Sequence, residues 1–355
     1  MPLDIISPSE QVANFLRGEL GKGVWRGDMP GAPKLAAELV VDPKTVIGAL
    51  SLLEDEGILL PQGVGRPRRI NEEAIHAGSR PLRIAFLLFE SGNERKSYIV
   101  ELKHRLLEAG HSVVMAPRSL TDLRMDVARV ERMVDKVAAD AWVVLAGSGE
   151  ILSWFAERPE PAFAFFGRMR RVNIAGSGPE KTDAYLSVAR RLMELGHQRI
   201  VYLARPEAPT AGPRQLLQLF FEELQAGGVA VGPYNYPDWE PTADGLRRCL
   251  DSLFAVTPPT ALFIDEITLF TAATQHLSRL GIIAPEHVSL ICTDPDRSFE
   301  WCRPTIAHID WSIDKVVRSA ERWAAAVSHG RDPRRKPLVK AEFVDGGTVG
   351  PAPQE

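Results

Sequence analysis

Three arginines, Arg66, Arg68 and Arg69, fall within four residues, and no acid stands between Gly57 and Asn71. Clustered guanidinium groups suit phosphate oxygens or the narrow minor groove of DNA. Just upstream, Val46, Ala49, Leu50 and Leu53 repeat at helical spacing, which turns Lys44, Thr45, Gly48 and Ser51 to the opposite face. Such a helix followed by a basic hairpin has the parts of a DNA-reading surface, with Lys44 and Thr45 for bases and the arginines for the backbone. A second set of reactive types lies far along the chain. Asp294 directly follows 288–293, which reads as a strand, and so stands at a strand's C-terminal end, where open α/β sheets hold ligands. A polyhydroxy ligand would call on Asp, Asn or Arg for its hydroxyls and on an aromatic ring for its C–H face. Glu90, Ser91, Asn93 and Tyr98 in the first strand–helix loop, and Phe299 and Trp301 after Asp294, are of those types.

The elements that must position these residues change character along the chain. Residues 9–70 read as three helices and a hairpin. Ser9 is the expected N-cap of a helix burying Val12, Phe15, Leu16 and Leu20, a short helix follows at 34–39, and the third runs from Pro43 to a stop at Gly57. Short strands at 58–60 and 68–70 flank a turn at 61–66. From Leu82 the pattern becomes strands alternating with helices, which predicts parallel sheets covered by helices on both faces, and too many strands for one sheet. The expected organisation is a DNA-binding head at 1–71, a linker at 72–81, a two-lobed α/β domain at 82–349 and a tail at 350–355.

Composition narrows the function classes. Of 355 residues, 45% are hydrophobic and 25% charged, an ordinary globular balance, and the net charge of −4 leaves any DNA contact to a local patch. No apolar run approaches the roughly 20 residues of a membrane span, and the N-terminus lacks the basic flank and apolar stretch of a secretory signal. The three cysteines have no metal-ligand spacing, so reduced thiols in the cytoplasm are expected. No GxGxxG follows the first strand, no phosphate loop or HExxH occurs, and none of the eight histidines has a paired nucleophile in sequence context. The reading is therefore a non-enzyme without cofactor or metal.

The string Gly27-Asp28-Met29-Pro30, Leu35-Ala36, Val41-Asp42-Pro43-Lys44-Thr45-Val46, Ala49-Leu50, Leu53-Glu54, Glu56-Gly57-Ile58-Leu59 and Gly63-Val64-Gly65-Arg66 resembles the GntR-type winged helix. It departs at Gly31-Ala32-Pro33, where the family has Ser-Glu-Arg, and at Pro43 and Ile47, where family members often place DNA-contacting arginines. The resemblance implies a sequence-specific DNA-binding domain whose contacts are not the usual set.

Residues 82 to about 349 resemble the effector domain of LacI/GalR-type regulators, the fold also of periplasmic sugar-binding proteins. The matching segments are Gly196-His197-Gln198-Arg199-Ile200, Pro258-Pro259-Thr260-Ala261-Leu262-Phe263, Gly281-Ile282, Pro285-Glu286-His287-Val288-Ser289-Leu290 and Pro304-Thr305-Ile306. On that resemblance Arg214 and Asp294 match ligand-contacting positions, Asp238-Trp239 matches a sugar platform, and Arg168 is retained after Gly167, where an Asp is common. Ile267 replaces another ligand aspartate, with Asp265 and Glu266 just before it. A GntR-type head on a LacI-type body is similar in architecture to the arabinose repressors of Gram-positive bacteria. It implies a homodimer on a near-palindromic operator, with a small effector, a sugar or sugar derivative, held between the lobes. A ligand-binding protein of this fold whose head contacts protein instead of DNA is the alternative, with a sugar-modifying enzyme further behind.

Overall fold

A computed structural model describes residues 7–21, 23–63, 66–72, 80–205 and 215–354. Residues 64 and 65 of the expected hairpin turn, 73–79 of the expected linker, and Arg214 lie outside the described residues.

The first segment is a three-helix cluster with a small sheet. Helix α1 (Pro8–Gly21) is capped by Ser7, not by Ser9 as the sequence suggested. The Ser7 hydroxyl accepts from Glu10 N–H at 3.2 Å and the Glu10 carboxylate accepts from Ser7 N–H at 2.7 Å. That reciprocal box needs an acid three residues after the cap, which Ser7 has and Ser9 does not. Phe15, expected in the core, is 48% exposed, while Val12, Ala13, Leu16 and Leu20 are buried. Helix α2 (Ala32–Leu39) ends on Val40 in a left-handed conformation, φ 54°. Helix α3 (Pro43–Asp55) begins at Asp42, whose carboxylate accepts from Lys44 N–H at 2.7 Å. Strands β1 (Leu59–Leu60) and β2 (Arg69–Ile70) pair antiparallel. The chain at 27–29 joins the other edge of β2 through Met29 N–H to Arg68 O (2.8 Å) and Ile70 N–H to Gly27 O (2.7 Å). Leu16, Leu35, Val46, Ala49, Leu50 and Leu53 form the core beneath.

By its internal packing the chain divides into two compact units, 1–176 with 318–336, and 177–317 with 337–355. In the first, β3 (Arg83–Leu87), β4 (Ser112–Met115), β5 (Ala141–Leu145) and β6 (Ala162–Phe165) run parallel in the order β4-β3-β5-β6. In the second, β8 (Ile200–Leu203), β9 (Ala261–Ile264), β10 (Ser289–Cys292) and β11 (Ala307–Asp310) are parallel neighbours in sequence order, and β13 (Glu342–Val344) adds antiparallel to β11. Strands such as Ala-Trp-Val-Val-Leu and Ala-Leu-Phe-Ile are buried along their whole length, as parallel strands covered on both faces must be. This is the parallel α/β architecture the alternating pattern predicted.

Strand β7 (Ala175–Glu180) carries the chain from the first unit into the second and pairs with β12 (Leu338–Lys340). Its sequence, Ala-Gly-Ser-Gly-Pro-Glu, carries no strand pattern. The glycine at 176 is demanded by packing, because a Cβ there would lie 2.5 Å from Met169 Sδ and 2.7 Å from Ala164 O. On return, residues 334–336 are clamped to the first unit. Arg334 donates to Ala156 O and Asn173 O, and the Lys336 ammonium donates to Met169 O, Arg170 O and Val172 O.

Candidate functional site

The register of β9 on β10 sets Ile264 beside Cys292, so both strands release their next residues at one edge of the second unit. There Thr293 N–H donates to Ile264 O (3.0 Å) and the Thr293 hydroxyl donates to Asp265 Oδ1 (3.0 Å) while accepting from Glu266 N–H (3.0 Å). Lys181 reaches the same edge, donating to Thr293 O (2.8 Å) and to Asp294 Oδ1 (2.6 Å). Arg205 pairs with Glu266 at 2.6 Å. Asp294, predicted as a ligand group, thus stands half-buried in a linked set with Lys181, Thr293, Asp265, Glu266 and Arg205. Sequence reasoning missed Lys181 because it lies 113 residues from its partner and follows no local pattern.

Trp239 is not the open sugar platform that the Asp-Trp pair suggested. It is 8% exposed within the core of the second unit, and its Nε1–H donates to Ala204 O at 2.9 Å, just past the end of β8. A buried indole must satisfy its N–H, and a strand-end carbonyl does so here. Trp301 closes a 3-10 turn, Arg297–Trp301, and is 87% exposed. Burial pushes the Cys292 thiol up to about 12 and Cys249 up to about 11, so neither is a thiolate near neutral pH.

In the first unit, the ends of β3 and β4 line a pocket of about 180 Å³ holding Glu90, Ser91, Arg118, Ser119 and Asp122. Glu90 N–H donates to Asn93 Oδ1 (3.2 Å) and its carboxylate accepts from Asn93 Nδ2 (3.4 Å). Asp122 is held below the usual carboxylate range, chiefly by the Ser119 backbone N–H and then by its hydroxyl. Beyond β6, Tyr98 stacks on Phe165 (5.8 Å between centroids) and meets Phe166 edge-on (5.5 Å). Gly167 follows at φ 88°, where a Cβ would lie 2.6 Å from Gly147 O, which explains the glycine in place of an acid. Arg168 comes next, exposed, its N–H donating to Gly147 O at 3.0 Å.

Three of these strand ends leave through non-glycine residues at positive φ: Ala146 (51°) after β5, Phe166 (67°) after β6 and Glu266 (54°) after β9. Such conformations cost of order 1–3 kcal/mol each and collect where a site dictates the backbone.

In the head, Lys44 is exposed at the start of α3 and Thr45 half-exposed. Arg66 and Arg69 are exposed, but Arg68 is tied back to Glu54 on α3. Gly48, expected to face DNA, instead admits α1, because a Cβ there would lie 2.6 Å from the Ser9 hydroxyl. Among the described residues there is no cluster of three or more metal-ligating side chains, and no helix is long and apolar enough to cross a membrane.

Comparison with known proteins supports this architecture. Residues 189–349 match the family model of the periplasmic binding protein-like domain. The HTH-type transcriptional repressor CytR of Escherichia coli is 27% identical over 143 residues, 40% of this chain and 41% of that protein. The HTH-type transcriptional regulator AglR of Rhizobium meliloti is 23% identical over 184 residues, 49% of this chain and 50% of that protein. The chain thus spans half or less of the length of the curated relatives it matches. Among solved structures, a LacI family transcriptional regulator from Enterococcus faecium with bound ribose superposes with a TM-score of 0.59 at 14% identity, covering 76% of this chain and 99% of that one. A transcription regulator-like protein from Staphylococcus haemolyticus gives 0.62 at 14% identity, covering 77% and 100%. The fold is the periplasmic-binding-protein-like α/β fold of LacI-type regulators.

Proposed function

We propose that this chain is a ligand-responsive DNA-binding transcription regulator, acting as a cytoplasmic homodimer. Its head at 1–71 is read as a GntR-type winged helix, 72–81 as linker, and 82–349 as the effector-binding and dimerising domain. The observation that carries the reading is the built polar edge after β9 and β10: Asp294 and its partners occupy the strand ends at which α/β sheets hold ligands, in a fold that the compared regulators share. Asp294 accepts ligand hydroxyls and Arg214, which lies outside the described residues, adds a donor; in the first unit the candidate ligand groups are Glu90, Arg168, Tyr98 and Phe166. The ligand class is a sugar or sugar derivative, because the available groups are carboxylates, guanidiniums and aromatic faces. Pentoses are the first probes, since a neighbour of this fold was solved with ribose.

For DNA, Lys44 and Thr45 read bases while Arg66 and Arg69 hold phosphates. Arg68 steadies the hairpin through Glu54 and is left out of the DNA-touching set, as is Gly48. The test is a gel shift over a salt series on fragments upstream of the chain's own gene, with and without each sugar. Replacing Arg66 and Arg69 by alanine should flatten the log-log salt slope by about 0.9 for each phosphate no longer neutralised. An unchanged slope removes the hairpin from the interface. A second reading, a head that docks on protein, is favoured by the exposed Phe15, Val40 and Ile47, and predicts no shift on any duplex.

A further inference from the structure

Helix α3 is poor in the side chains with which proteins usually read base pairs, keeping of them only Lys44, Thr45 and Ser51. Direct readout in the major groove relies on arginine or lysine for guanine, asparagine or glutamine for adenine and a carboxylate for cytosine. Between Pro43 and Asp55 there is no arginine, asparagine or glutamine. Its acids, Glu54 and Asp55, come only in the last turn, and Glu54 is taken by Arg68. Gly48 is closed off by Ser9. What remains on the open face is Lys44, the half-exposed Thr45 and Ser51, and the apolar Ile47, 50% exposed on a helix whose Val46, Ala49, Leu50 and Leu53 are fully buried and whose Leu52 is partly buried against the core of the head.

We infer that Ile47 is a specificity-determining residue, packing against thymine C5-methyl groups in the major groove, so that α3 selects A·T pairs by apolar contact. The inference rests on the DNA-binding reading of the head. A thymine methyl is the one apolar group a base pair shows in that groove, and covering it removes both it and the isoleucine from water. The register of the contact is set from outside α3. Asp42 fixes its first turn and the Ser9–Gly48 approach fixes its roll against α1, so Ile47 is presented by a braced helix.

The experiment begins with selection of bound duplexes from a random pool by the full-length chain, followed by replacement of each thymine in the selected site by uracil, which removes the methyl and nothing else. Affinities are measured for the wild type, Ile47→Ala and Ile47→Val, with circular dichroism to establish that the variants fold. The expected result is a loss of about fourfold, the worth of one covered methyl, at one or more thymines with the wild type. The same loss should appear with Ile47→Val and vanish with Ile47→Ala. Uracil that costs nothing at every position, or costs Ile47→Ala as much as the wild type, overturns the inference while leaving DNA binding intact. A pool from which nothing is enriched overturns the DNA-binding reading itself, and the inference with it.

Discussion

The strand ends of the two α/β units are built from opposite materials. In the second unit the edge after β9 and β10 is polar and interlocked: Lys181 holds Asp294, Thr293 bridges Asp265 and Glu266, and Arg205 holds Glu266. In the first unit the edge after β6 is aromatic, with Tyr98, Phe165 and Phe166 in mutual contact, and its carboxylates, Glu90 and Asp122, are held by local turns. A sugar needs both materials, hydrogen-bond partners for its hydroxyls and a ring for its C–H face. The second unit thus offers hydrogen-bond partners and the first an aromatic face.

The largest expected effect comes from breaking the polar side. Asp294→Ala should abolish the ligand-induced rise in unfolding temperature, measured in a sugar thermal-shift series, while the ligand-free protein still folds. A wild-type rise in the variant would move the ligand elsewhere. Tyr98→Ala should weaken the same ligand by about tenfold, the scale of an aromatic contact of 0.5–1.5 kcal/mol plus the area it covers, without changing which hydroxyl epimers are accepted. If epimer preference changes instead, the first unit orients the ligand and the assignment of roles is reversed.

The polar edge is legible only where strand and function coincide in sequence. The run 261–264 is continuously apolar and 289–292 is so but for Ser289, so the residues following them fall at strand ends, and Asp294 stands out. Lys181 follows a strand of glycine, serine and proline whose composition is set by close packing at Gly176 and by Ser177 donating to Pro337 O, and neither cause leaves a periodic trace. Trp239 misleads for the converse reason: a tryptophan beside an aspartate looks alike whether its ring faces a ligand or a core, and only burial separates them. The head is legible in its helices, but helical angle alone puts Gly48 on the open face, because it cannot see a second helix lying against it.

A smaller test uses one buried histidine in each unit. His111 accepts from Leu82 N–H through Nδ1 at 3.3 Å, and His197 contacts Gly350 O and Ser289 Oγ through Nε2 at 3.0 and 3.2 Å. Burial lowers both below the ordinary value of 6.5, with the Gly350 carbonyl partly opposing this at His197. The folded chain then binds fewer protons than the unfolded one as pH falls below about 6.5, so the stability present above that value is progressively lost until the folded-state values are passed. Urea unfolding at pH 7.5 and 5.5 should show this acid loss, reduced in His197→Gln for the second unit and in His111→Gln for the first. A pH dependence unchanged in both variants would assign the loss to other groups.

The smallest effect compares the backbone at the two edges. Ala146 and Glu266 both sit at positive φ, 51° and 54°, but only Glu266 carries a side chain held by a partner, Arg205. Left-handed backbone costs an L-residue roughly 1–2 kcal/mol, and glycine removes that cost while giving the unfolded chain about 0.5–1 kcal/mol of extra freedom. Ala146→Gly should therefore stabilise the protein by about 0.5 kcal/mol, a midpoint rise of roughly 1–2 °C. Glu266, at φ 54° and ψ 151°, lies outside the left-handed helical well in a region close to glycine's own, so Glu266→Gly gains a backbone relief of order 1–3 kcal/mol but loses the Arg205 pair, whose two side chains are about a third exposed and worth about 0–1 kcal/mol together. Its ligand affinity should fall because Arg205 is released from the edge, whereas Ala146→Gly should leave ligand affinity unchanged. An unchanged affinity in Glu266→Gly would mean that the Arg205 pair adds nothing, and that the second unit's edge is held by Thr293 and Lys181 alone.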